Sequence, residues 1–250
     1  MSNHYKGIRK KSLKMVKKGG RRNYQTNLII GGKGQGKSSL LREIIDEYYD
    51  KYTVAYQTSN YKPRVFVHDM SSSRAFSDIP NLENVANYLS KKHGFGLESP
   101  LDLLKKKDTN GDYFWKHGML RYVTRKTKDI KEMYQVLGDH FKNGLVVLDE
   151  WTSYVRKNPP DWQIELINNH RNFGLEVFIV CHQLMSVPPF FVRGDMVSNI
   201  ILFKTGEKNL TDKMIKDKYS CADKLLPAYR KLLNIKETSN IIQPHFHIKV

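Results

Sequence analysis

Gly31-Gly32-Lys33-Gly34-Gln35-Gly36-Lys37-Ser38 fits the phosphate-binding loop pattern G-x-x-x-x-G-K-[ST] at every fixed position. Asn27-Leu28-Ile29-Ile30 comes directly before it and reads as a short buried strand. After it, Leu41, Ile44, Ile45 and Tyr48 recur at the i, i+3, i+4, i+7 spacing of an amphipathic helix. The pattern therefore has the strand–loop–helix context that gives it physical meaning. Glycines let such a loop turn tightly and aim backbone N–H groups at phosphate oxygens, while the helix N-terminus adds partial positive charge. Residues 31–36, with Ser39 in the first helical turn, form the expected cradle. Lys37 is expected to reach the β- and γ-phosphates, and Ser38 to ligate Mg²⁺. The reading is a nucleoside triphosphate site. A glycine-rich turn opening an ordinary helix is the plainer alternative, and the agreement of pattern with context weighs against it.

The second informative stretch is Gly144-Leu145-Val146-Val147-Leu148-Asp149-Glu150. Four apolar residues make a central strand, and two carboxylates stand at its C-terminal end. An acid placed there can hold the Mg²⁺ bound by the loop hydroxyl, and a second can orient and deprotonate an attacking water. Asp149 takes the first role and Glu150 the second. Two acids capping a strand exit would be the bland reading. The upstream phosphate loop favours the functional one, with Lys37 and the two acids meeting across adjoining strand tips.

Elsewhere, Arg64-Val65-Phe66-Val67-His68 reads as a strand, as do residues 119–123, 177–181 and 199–203. Helices are expected over residues 81–90, with Leu82, Val85 and Leu89 on one stripe, and over 129–141. Pro159-Pro160-Asp161 is expected to stop the chain and cap a helix over 162–173 that ends at Gly174. Further helical material is expected over 210–218 and 222–233. Residues 91–117 are mixed, with the turn signal Asn110-Gly111, and receive no assignment. Strands alternating with helices give an α/β fold, a mostly parallel sheet covered on both faces. His182-Gln183 follows the strand at 177–181, where a polar residue can sit beside the γ-phosphate. His245 and His247 share one face of an extended segment. Two imidazoles with no third ligand in view are read as polar surface rather than a metal site.

The chain has 250 residues, with 42 Lys+Arg against 25 Asp+Glu, a formal charge of +17. Such a surplus does not help folding and points to a polyanion, most simply nucleic acid. Residues 1–22 carry nine of these positive charges and no acid, which favours a flexible arm over a packed element. It would grip phosphates without regard to sequence. Cys181 and Cys221 are the only cysteines, and their spacing fits no metal site, so free thiols in a reducing compartment are expected. The longest apolar runs are far short of a membrane span, and residues 1–22 lack a signal-peptide core. A soluble protein is expected.

With these residues placed, the chain resembles the FtsK–HerA superfamily of DNA-translocating motors. Within it, the likeness is to genome-packaging ATPases of tailless icosahedral viruses with internal membranes. The resemblance covers residues 27–206. It rests on residues 31–38, on the strand ending Asp149-Glu150, on His170-Arg171-Asn172-Phe173-Gly174 leading into residues 177–183, and on Arg193 with residues 199–203. It implies a RecA-like P-loop NTPase core over 23–206, with a basic arm at 1–22 and a helical extension of the same domain at 207–250. It implies ATP hydrolysis coupled to DNA translocation by a homo-oligomeric ring, a hexamer, in the virion or host cytoplasm. DNA would be held without sequence preference, and capsid vertex proteins would be further partners. Gln183 resembles the family's sensor, and Arg171 the arginine inserted into a neighbouring subunit's site, with Arg193 as second choice. Arg156 and Lys157 are candidate DNA contacts. The basic arm has two open readings, DNA tether or capsid dock. Two departures stand out: residues 91–117 have no counterpart, and His182 occupies a place expected to hold a small hydroxyl residue. The rival readings are a filamentous-phage assembly ATPase of the zonula-occludens-toxin type, a cellular HerA-like translocase, a small-molecule kinase, and a basic virion protein without turnover.

Overall fold

The computed structural model describes residues 24–55, 63–154, 159–193, 196–207, 209–236 and 238–250. The basic arm and the candidate DNA contacts Arg156 and Lys157 lie outside them. Seven strands form one sheet: β1 (Thr26–Ile30), β2 (Arg64–His68), β3 (Gly118–Tyr122), β4 (Gly144–Leu148), β5 (Leu175–Cys181), β6 (Asn199–Phe203) and β7 (His245–Lys249). Their order is β3-β2-β4-β5-β1-β6-β7. All neighbours pair in parallel except β6 with β7. Every residue of β1, β2, β4 and β5 is buried, as a parallel sheet covered on both faces requires.

The period-two alternation of the strands sorts their side chains onto two faces. Ile29, Val65, Val67, Leu145, Val147, Phe178 and Val180 pack under helix α1 (Lys37–Ala55), which contributes Leu41, Ile44, Ile45 and Tyr48. Leu28, Phe66, Val146, Leu148, Ile179 and Leu202 face the other way. They are covered by α2 (Leu82–His93), α3 (Asp102–Lys105), α4 (Thr127–His140), α5 (Asp161–Asn168), α6 (His170–Phe173), α7 (Pro189–Arg193), α8 (Asp212–Lys218) and α9 (Ala222–Asn234).

Several expectations are sharpened or changed. The segment at 91–117 is part of the core: it contains α3, buries Leu101, Leu103, Leu104 and Trp115, and places Tyr113 and Trp115 against Arg64, which also lies over Phe141. The helix expected over 162–173 is two pieces, α5 and α6, broken at Asn169, and α6 ends at Gly174 with φ of 70°. Asp161 does not cap it; Pro160 holds the cap position, with no side-chain hydrogen bond, and Asp161 is already inside the helix. Beyond α8 and α9 the C-terminal region is not wholly helical, because β7 adds an antiparallel edge strand beside β6. His245 and His247 lie on it, with their rings 5.2 Å apart. Cys181 and Cys221 are free and buried.

Candidate functional site

The parallel strands bring their C-terminal ends to one edge of the sheet, where open α/β sheets present their binding crevice. In order along that edge stand Asp69 after β2, Asp149 and Glu150 after β4, His182 after β5, the glycine-rich loop after β1, and Lys204 after β6. The loop and the two carboxylates do not meet across adjoining strands, as the sequence alone suggests. Strand β5 lies between β1 and β4, so their tips stand roughly 10 Å apart, two strand spacings. The long Lys37 side chain and the inserted His182 bridge that gap.

The residues enclose a cleft of about 510 Å³, lined by Lys33 to Ser39 of the loop, by Asp149, Glu150 and His182, and by Ser71, Ser73, Arg74, Ala75 and Ile241. That volume suits a nucleotide-sized ligand. The loop has little room for side chains. At Gly36, φ is +80° and an added Cβ would lie 2.2 Å from the Ile241 carbonyl oxygen. Gly31 is nearly as tight against Phe203, where a Cβ would sit 2.5 Å from the Phe203 Cβ. Lys37, the first residue of α1, donates from Nζ to the carbonyls of Gly31 (2.8 Å) and Gly32 (2.7 Å). Burial lowers its pKa, and the charges of Asp149 and Glu150 work against that shift.

Asp149 is buried, and its backbone N–H donates to the His68 carbonyl, which fixes the strand exit. Burial, and then the charges of Asp69 and Glu150, push its pKa up to about 6. Asp69 has Arg121 for a partner, which leaves Asp149 and Glu150 beside one buried lysine, and a divalent cation would supply further positive charge there. Among the described residues no three His, Cys, Asp or Glu side chains form a metal cage. Mg²⁺ does not need one: it usually takes one or two protein oxygens, with water and phosphate filling the rest. The Ser38 hydroxyl and the Asp149 carboxylate, on facing sides of the cleft, fit that donor set.

Glu150 adopts φ 50°, ψ 35°, a left-handed conformation that a glutamate enters only at some cost. The turn detaches its side chain from the path of β4 and aims it along the cleft. His182 lies between the two key groups, with Nδ1 3.3 Å from Lys37 Nζ and Nε2 3.4 Å from Glu150 Oε1. An ammonium can only donate, so Nδ1 accepts and the Nε2 proton faces Glu150. Burial and the Lys37 charge lower the His182 pKa, so the ring is neutral near pH 7.

Gln183, expected as the sensor, is exposed and does not line the cleft; its neighbour His182 does. The chain turns directly after β5, so consecutive side chains leave in different directions. Arg171 is also outside the cleft. It lies before β5, at the N-terminal edge of the sheet, about 20 Å away by strand rise alone. There the buried His170 anchors α6, its Nδ1 2.6 Å from the Ile167 carbonyl oxygen and its Nε2 3.4 Å from Thr26 Oγ1, and Arg171 is left exposed. Arg193 is also exposed and donates to the Asp217 carbonyl.

The polar loop after β2 stands where open α/β sheets bind ligands, as its sequence position leads one to expect, and Ser71 and Ser73 line the cleft. Buried Asp69 pairs with Arg121 at 2.9 Å and accepts from the Ser73 N–H at 3.0 Å. The Ser71 hydroxyl, within 3.3 Å of both Asp69 Oδ1 and Asp149 Oδ2, ties this loop to the metal-ligand candidate. The run Asp69-Met70-Ser71-Ser72-Ser73 at a strand's C-terminal end was the available signal.

No family model and no curated protein sequence matches this chain. Solved structures do match its fold. The genome packaging NTPase B204 from Sulfolobus turreted icosahedral virus 2, in complex with ATP-gammaS, superposes with a TM-score of 0.55 at 16% identity, covering 90% of this chain and 97% of that one. VirB4 of Thermoanaerobacter pseudethanolicus superposes with a TM-score of 0.50 at 12% identity, covering 94% and 91%. The fold is that of P-loop NTPases, a mostly parallel sheet flanked by helices.

Proposed function

We propose that this protein is an ATPase that works as a ring and drives DNA into a preformed viral capsid. The observation that carries the reading is the convergence of Lys37, Asp149 and Glu150 on one cleft at the C-terminal edge of a P-loop NTPase sheet. The fold shared with a genome packaging NTPase over nearly the whole length of both chains supports the packaging role. The charge of +17 supports DNA as the cargo.

In this mechanism the loop N–H groups and Lys37 hold the β- and γ-phosphates. Mg²⁺, bound by Ser38 and Asp149, would supply charge neutralisation on the same phosphates. Glu150 accepts a proton from a water molecule whose oxygen attacks the γ-phosphorus, and the bond from that phosphorus to the β-bridging oxygen breaks. ADP, inorganic phosphate and a proton result. His182 donates to one Glu150 oxygen and thereby turns the other toward the water. Arg171, on the far edge of the sheet, serves a neighbouring subunit. Such an arginine is worth about 10³–10⁵ in rate where it neutralises transition-state charge.

The test is steady-state ATP hydrolysis with and without double-stranded DNA, beside the mass of the assembly in solution. DNA-stimulated turnover in a ring is expected. Lys37→Ala should abolish nucleotide binding, whereas Glu150→Gln should bind ATP and lose about 10²–10⁴ in turnover. Wild-type turnover by Glu150→Gln would remove it as the base. Absence of turnover in the assembled ring with DNA would leave a basic DNA-binding virion protein instead.

A further inference from the structure

The segment before β7 crosses back over the phosphate loop and presents an apolar side chain at the mouth of the cleft. Residues 238–243 are held as a compact turn by Gln243, which is buried. Its Nε2 donates to the carbonyls of Thr238 (2.9 Å) and Asn240 (2.6 Å), and its Oε1 accepts from the Thr238 N–H at 2.8 Å. The Gln243 N–H in turn donates to the Gln35 carbonyl at 3.1 Å. The Ile241 carbonyl packs on Gly36, so closely that no Cβ would fit there. Ile242 packs inward on the α1 side of the core. Between these fixed points the Ile241 side chain projects outward. It is 77% exposed and yet lines the cleft. A rigid turn stapled to a phosphate loop thus displays a branched aliphatic group to solvent beside that loop.

Topology says what it meets. Glu150, Asp149 and His182 lie on the β5–β4 side of the loop, so the γ-phosphate end of a bound nucleotide points that way. The nucleoside end must leave on the other side, toward β6 and the start of β7. His245, which opens β7, pairs with Phe203 at the C-terminal end of β6, which places the turn at the same edge of the sheet. We propose that residues 238–243 form the nucleoside subsite, with Ile241 as the apolar wall against the base of bound ATP. The proposal rests on the ATP reading of the cleft. An aliphatic wall covers a base face without offering it a hydrogen bond, so it contributes affinity for the base and nothing for the phosphates.

The experiment compares equilibrium binding of ATP and of inorganic tripolyphosphate, both with Mg²⁺, to the full-length wild type and to Ile241→Ala, Ile241→Leu and Lys37→Ala. Ile241→Ala should weaken ATP binding about tenfold and leave tripolyphosphate binding within about twofold, as expected for apolar area lost against the base alone. Ile241→Leu should restore ATP affinity. Unchanged ATP binding by Ile241→Ala overturns the subsite, and so does an equal loss for both ligands, which would mean the turn merely supports the loop. If Ile241→Ala instead changes the assembly mass at undiminished ATP affinity, the side chain belongs to a contact between copies, and the proposal is again lost. Lys37→Ala should lose both ligands; if it binds both normally, the phosphate-loop reading fails rather than the nucleoside subsite.

Discussion

At the scale of single residues, His182 decides more than the sequence pattern implies. Among the described residues its ring reaches both Lys37 and Glu150. His182→Ala should lower kcat for ATP by about 10–100-fold while nucleotide affinity changes less than about threefold, because it orients Glu150 and holds no phosphate. The acid limb of the rate profile should also change in this variant. A protonated imidazole would repel Lys37, so wild-type turnover should fall as pH drops through the depressed His182 pKa. Equal losses in affinity and kcat would show a structural role. A second histidine sets a stability dependence. His68 is fully buried, its Nε2 3.1 Å from the Thr124 carbonyl oxygen, and burial takes its pKa from 6.5 to about 4. The unfolded chain takes up that proton first. The contribution is therefore complete above pH 6.5 and is lost as pH falls toward 4, by up to about 3 kcal/mol. Asp149, raised by burial, acts in the opposite sense over part of that range, because its folded form binds the proton more readily. Denaturant unfolding at pH 7.5 and pH 5 should show a smaller difference for His68→Gln than for the wild type. Identical differences would assign the pH dependence to other groups.

At the scale of elements, the phosphate loop is shaped from two directions. The sequence supplies a flexible run, and the packed turn at 238–243 together with the end of β6 gives it one form. Gly36→Ala would place a methyl group in the Ile241 carbonyl and demand positive φ of an alanine. The two penalties together should cost more than about 2 kcal/mol or displace the turn. Thermal unfolding, with nucleotide binding measured alongside, checks this: lower Tm and lost binding are expected, and a wild-type Tm with intact binding would contradict it. The positions of helices and the strand cores were legible because their hydrophobic periods are strong, though helix limits shifted by up to three residues; β2 and β6 occur where the sequence places them. The break at Asn169 and the left-handed turn at Glu150 were not. Both are backbone choices made by tertiary packing on residues whose local preference is neutral or opposed.

At the scale of the molecule, the nucleotide cleft and Arg171 occupy opposite edges of one sheet. A single copy cannot bring them together, whereas a head-to-tail ring can. Mixing Arg171→Ala with Lys37→Ala subunits should recover turnover above either parent, since mixed interfaces can pair an intact arginine with an intact loop. No recovery at any ratio would count against a finger from the neighbour. No helix among the described residues is long and apolar enough to cross a membrane.

The sequence by itself determined the P-loop fold class, the alternation of strands and helices, and the identity of the loop and the two acids. Each is written in contiguous residues whose spacing obeys local geometry. Strand order was a different matter, because pairing partners are set by which faces must be buried and not by sequence neighbours. Only the fold placed β5 between the loop and the carboxylates, made His182 rather than Gln183 the bridging group, sent Arg171 to the far edge, and brought a turn from the end of the chain over the loop near its beginning. These relations join residues far apart along the chain, and burial of one common core is what holds them in place.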